Sequence, residues 1–142
     1  MSAATDPFDL TRFVEAQAST YAQVLDELRE GRKTSHWIWF IFPQLAVLGR
    51  STTAKRYGIK SKDEAAAYLA HPILGTRLRE CTGLVNQIDG STAHDIFGYP
   101  DDLKFRSSMT LFAAASADNA IFNEALAKYY DGEGDPLTSE KL

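Results

Sequence analysis

The chain has 142 residues, 44% hydrophobic and 24% charged, with nineteen acidic and fifteen basic side chains for a formal net charge of −4. That size suits one globular domain burying about two thirds of its unfolded surface without metal or disulfide, and the acidic balance excludes broad attraction to nucleic acid or anionic membrane. Cys81 is the single cysteine, so no intrachain disulfide forms; no apolar run nears the ~18 residues of a membrane span, and the start MSAATDPFD lacks signal-peptide form, so a cytoplasmic protein is expected.

In chain order, Leu10, Phe13, Val14, Gln17, Tyr21, Val24, Leu25 and Leu28 keep the spacing of one helical face. Asp9 is its expected cap and Gly31 its stop, with a break at Ala18-Ser19-Thr20. Ser35 is placed to start a short helix through Trp37–Phe42, which Pro43 stops. Ser51 or Thr52 caps a turn ending at Gly58, and Ser61-Lys62-Asp63-Glu64 has the capping-box pattern ahead of Ala65–Leu69. His71-Pro72 marks the next start, followed by an apolar stripe of Leu74, Leu78, Cys81, Leu84, Val85 and Ile88. Thr92 caps a short turn ending at Gly98. Asp101 or Asp102 opens a helix through Leu103, Phe105, Met109 and Phe112; Asp118 opens another through Tyr129; Asp135-Pro136 begins a last one. No segment alternates as a strand does, apart from the ambiguous apolar run at 37–42. The pattern predicts an all-α fold, a compact single-domain orthogonal array of about seven to nine helices, several short. The domain is expected to span 1–142, with 1–7 a flexible N-terminus.

Four stretches, FVEAQASTYAQVLDELREGRKTSHWIWFIFPQL, YGIKSKDEAAAYLAHPILGTRLREC, IFGYPDDLKFRSSMTLF and YYDGEGDPLT, cover most of the chain in order. Together they resemble the family of uncharacterised proteins known as domain of unknown function eighteen-ten. The resemblance implies a compact, mainly helical domain and brings no catalytic residues with it.

Residues 36–44, HWIWFIFPQ, hold four of the sixteen aromatic residues, between an imidazole and an amide. One reading is a core-forming helix whose indole N–H groups find internal acceptors. The other is a pocket wall, with Trp37 or Trp39 stacking on a planar ligand while His36 and Gln44 supply hydrogen bonds. On a helix the two tryptophans point apart, so one can anchor the core while the other faces a cleft. The polar stretch DDLKFRSSMT is the natural opposite wall. There Lys104 or Arg106 would hold a phosphate or carboxylate, Ser107 and Thr110 would add hydrogen bonds or close helix packing, and His36 would serve as general acid/base or donor. Asp101 and Asp102 fit a helix's first turn better than an acid/base pair, with Asp102 expected to pair with Arg106.

His36, His71 and His94 lack ligand spacing, so no metal is expected, and without a phosphate-cradling glycine loop no cofactor is expected. Cys81 falls on the apolar stripe as a core residue. The basic residues Arg50, Lys55, Arg56, Lys60 and Lys62 lack aromatic interleaving, which disfavours nucleic acid. The expected function is binding, with or without turnover, of a planar anionic, nucleotide-like metabolite by a monomer or weak homo-oligomer. The alternative is a non-catalytic protein-interaction module with an exposed apolar patch.

Overall fold

The computed structural model describes residues 6–142. Residues 1–5 of the expected flexible N-terminus lie outside the described residues, whereas Asp6 is engaged in capping. Among the described residues are ten α-helices: α1 (Thr11–Ala18), α2 (Tyr21–Arg29), α3 (Ile38–Ile41), α4 (Thr52–Arg56), α5 (Lys62–Ala70), α6 (Leu74–Asn86), α7 (Ala93–Phe97), α8 (Asp101–Ala115), α9 (Ala120–Tyr130) and α10 (Pro136–Lys141). A 3-10 turn at Ala46–Leu48 joins them. The fold is all-α, as the spacing predicts, with six helices longer than six residues. The one β-feature among the described residues is an isolated parallel bridge between Leu45 and Ile59.

Local chemistry sets most boundaries. The first helical face breaks at Ser19-Thr20, as expected. Asp9 does not cap it: Asp9 sits at φ 51°, and Asp6 instead accepts from the Leu10 and Thr11 N–H groups at 2.7 and 3.0 Å. Thr92 and Asp95 form a complete capping box on α7. On α5 only half the expected box forms. The Ser61 hydroxyl accepts from the Glu64 N–H at 3.1 Å, but the Glu64 carboxylate turns to Arg12 at 2.8 Å and to the Lys60 N–H at 2.9 Å. A buried carboxylate gains more from a guanidinium than from one amide. The helix after Pro72 starts two residues late, at Leu74, because the His71 ring itself caps it through Nδ1, accepting from the Ile73 and Leu74 N–H groups at 3.1 and 3.3 Å.

Helix α8 is the central element, packed against α3, α5, α7, α9 and α10. Its Phe105 stacks on Phe97 of α7 at 4.6 Å and meets Phe42 edge-on at 4.8 Å. Phe42 follows α3, so the aromatic run reaches α8 through ring contacts. Trp37 is fully buried, and its indole N–H donates to Glu27 at 2.9 Å. Glu27 also accepts from the backbone N–H groups of Thr34 and Ser35 at 2.7 and 3.0 Å, from Gln23 at 3.0 Å and from the Ser35 hydroxyl. Ser35 therefore anchors the chain to α2 rather than starting a helix, and α3 begins only at Ile38.

Candidate functional site

Between the segment after α3 and the N-terminal half of α8 lies a cleft of about 330 Å³. Gln44, Leu48, Arg50, Pro100, Leu103, Lys104, Arg106, Ser107, Asp135 and Leu137 line it. Gln44 reaches it because the chain crosses itself beside the cleft. The Ile59 N–H donates to the Gln44 carbonyl at 2.8 Å, and the Ala46 N–H donates to the Ile59 carbonyl at 2.8 Å. The crossing requires glycine at 58, where a Cβ would stand 2.3 Å from the Ala46 Cα. The same loop carries Arg50 to the cleft ahead of the Ser51 cap of α4.

The lining charges are unequal: Arg50, Lys104 and Arg106 against Asp135. Asp135 is already committed, its Oδ2 accepting from the Ser107 hydroxyl at 2.9 Å, the Thr138 hydroxyl at 2.6 Å and the Thr138 N–H at 3.3 Å. Arg106 Nε donates to the Glu133 carbonyl at 3.0 Å, with the Glu133 carboxylate 4.0 Å from its guanidinium. Lys104 lies 3.7 Å from Asp101, which holds Lys33 more closely at 2.7 Å. Arg50 is exposed, and among the described residues no carboxylate lies within 4.0 Å of it. The expected Asp102–Arg106 pair does not form. Asp102 faces His94 at 3.7 Å instead, while Arg106 turns to the segment before α10.

Beside the cleft is a small hollow of about 10 Å³ lined by Ile38, Trp39, Phe42, Gln44, Ala54, Tyr57 and Lys104. Gln44 and Lys104 border both spaces. The Lys104 ammonium stands 5.5 Å from the Trp39 ring centroid, within cation–π range. The Trp39 indole N–H is buried with no acceptor among the described residues, a deficit of about 1–3 kcal/mol when left unmet.

Of the side chains expected to form a site, Gln44, Lys104, Arg106 and Ser107 line the cleft, and Trp39 joins Gln44 and Lys104 at the hollow. His36 does not come with them. It is exposed and borders neither space, since Ser35 and Trp37 on either side both turn inward to Glu27. Trp37 offers no face to a ligand, being sealed in the core. Thr110 is buried one turn beyond Ser107, its hydroxyl donating to the Arg106 carbonyl and accepting from the Asp135 N–H, both at 2.8 Å. It holds the segment before α10 against α8. Cys81 is core, as expected, and burial pushes its thiol up to about 12.

Sequence reasoning did not single out Arg50, Asp135, Leu48 or Leu137 for this place. Arg50 and Leu48 arrive through the 45–59 crossing, Asp135 and Leu137 through the docking of α10. Neither event leaves a periodic signal.

A family model described as a protein of unknown function (DUF1810) matches residues 7–142. No curated protein matches the chain. Among solved structures, the conserved hypothetical protein Rv1873 from Mycobacterium tuberculosis is similar at 60% identity, with a TM-score of 0.96 over 96% of this chain and 98% of that one.

Proposed function

Because the chain belongs to the DUF1810 family, whose description assigns no activity, we propose from the cleft itself that the protein binds a small anionic metabolite through a phosphate or carboxylate group. The observation that carries this reading is the set of three basic side chains, Arg50, Lys104 and Arg106, around one concavity whose only lining carboxylate is already satisfied from within. Arginines match the oxygens of a phosphate or carboxylate in paired hydrogen bonds. Leu48, Pro100, Leu103 and Leu137 give the ligand's body an apolar wall.

Binding without turnover is the reading the lining favours. His36, the residue expected to move a proton, stands outside the cleft, and Asp135 is engaged in holding α10.

The test is calorimetric titration with inorganic phosphate, pyrophosphate and AMP, on the natural chain and on Arg50→Glu. Arg50 is exposed, so the charge reversal leaves the fold intact while affinity falls at least tenfold. Absence of binding by all three anions at millimolar concentration, or equal affinity in the variant, overturns the reading.

One observation favours the protein-interaction alternative. Leu103 and Leu137, 48% and 57% exposed, line the cleft, and Val47 and Tyr99, 64% and 75% exposed, adjoin Leu48 and Pro100 in the chain. Exposed apolar side chains grouped in this way mark contact surfaces. Sedimentation decides for a second copy: a monomer at every concentration up to hundreds of micromolar removes it, and a dimer dispersed by Leu137→Glu supports it.

A further inference from the structure

We propose that the cleft and the hollow are one site parted by a movable lysine, and that its ligand is an anion bearing a flat ring, which lies against Trp39 where the Lys104 ammonium now stands. The inference rests on the cleft being an anion site and adds the class of its ligand.

Three features of Lys104 support it. Its side chain, with Gln44, is one of the two that border both spaces, and it is the one that covers the Trp39 ring. Its present partners hold it loosely. It is 5.5 Å from the Trp39 ring centroid and 3.7 Å from Asp101, longer than a charge-assisted hydrogen bond. Its departure also strands no charge, because Asp101 keeps Lys33 at 2.7 Å, with the Lys33 side chain buried. An anion on Arg50 and Arg106 therefore draws the ammonium into the cleft and uncovers the indole.

Trp39 suits the part. It is half-buried, and its ring is covered from α8 by a flexible cation. Its N–H has no partner among the described residues. Stacking of a flat ring on an indole tolerates many ring types because each has a π-face. The hollow itself, about 10 Å³, is at the threshold for a single water, so the ring must enter by displacing the lysine.

The chain's two tryptophans make the test direct. In Trp37→Phe, Trp39 is the sole indole emitter. Titration with AMP is expected to change its emission, and AMP is expected to bind at least tenfold more tightly than ribose 5-phosphate, which carries the same anion without the ring. In Trp39→Leu that preference falls below threefold while ribose 5-phosphate still binds. If Trp37→Phe unfolds, the natural chain serves, with the Trp39→Leu comparison assigning the signal. Equal affinities for AMP and ribose 5-phosphate overturn this inference and leave the anion site standing. Calorimetric binding of AMP with no change in Trp39 emission does the same. Binding of neither compound, nor of inorganic phosphate or pyrophosphate, overturns both.

Discussion

At Glu27 five donors converge on one carboxylate inside the fold: the Thr34 and Ser35 amides, the Ser35 hydroxyl, the Gln23 amide and the Trp37 indole. Burial alone would raise its pKa, but those hydrogen bonds favour the ionised form and hold it at about 2, against an ordinary 4.5. A depressed native pKa means that Glu27 stabilises the fold above its unfolded value and loses that contribution as pH falls through the native one. The stability difference between the natural chain and Glu27→Gln is therefore expected to be full above pH 4.5 and to shrink progressively toward pH 2, as read by thermal melts across that range. Glu27→Ala at neutral pH strands several donors at once and is expected to cost about 2–4 kcal/mol in urea unfolding. The same network divides the tryptophans into one fixed in the core and one beside the hollow. Helical spacing would set them apart only if both lay on one helix, whereas α3 begins at Ile38 and Trp37 precedes it. Nothing in the sequence hinted that Glu27 is the anchor, because a buried carboxylate is recognised only by its partners.

Helix α10 is six residues long, too short to persist alone. Its Asp135-Pro136 start is readable in the sequence, and the structure has Asp135 as the cap and Pro136 as the first helical residue. Its position on α8 depends on two small hydroxyls. Ser107 donates to the Asp135 carboxylate, and Thr110 accepts the Asp135 N–H. Thr110→Val keeps the shape but leaves that half-buried amide without its acceptor. The expected cost is about 1–2 kcal/mol, with faster hydrogen exchange over residues 135–141 and little change in the slow amides of α6. Small polar residues on one face of α8 were compatible with either ligand contact or close packing; they turn out to secure one wall of the cleft, with Ser107 also bordering the space.

The cleft is a property of the whole chain, assembled from the loop after α3, the start of α8 and the start of α10. Its most sensitive joint is the 45–59 crossing. Gly58→Ala would set a methyl 2.3 Å from the Ala46 Cα, forcing the bridge apart and moving Gln44 and Arg50 together. The expected outcome is a stability loss of about 1–3 kcal/mol and weaker phosphate binding than in the natural chain at a temperature where both are folded, measured by calorimetry. Lys104 and Arg106 were legible as basic residues of the helical wall, because charge is written residue by residue; of the aromatic segment expected opposite them, only Gln44 lines the cleft. His36 could not be excluded in advance, since the direction of its side chain depends on where its neighbours find hydrogen bonds. The sequence by itself determined the helical class, the break at Ser19-Thr20, the caps at Thr92 and Asp135, a cap at Ser51 or Thr52, and the core role of Cys81, all of which follow from local periodicity and backbone hydrogen-bonding needs. Only the tertiary structure decided that Arg50 and Arg106 line one cleft, that Glu64 leaves its capping box for Arg12, and that Trp37 is sealed while Trp39 borders the hollow. Those outcomes turn on where polar groups find partners in three dimensions, and the partners lie from 10 residues away, as for Trp37 and Glu27, to 52, as for Arg12 and Glu64.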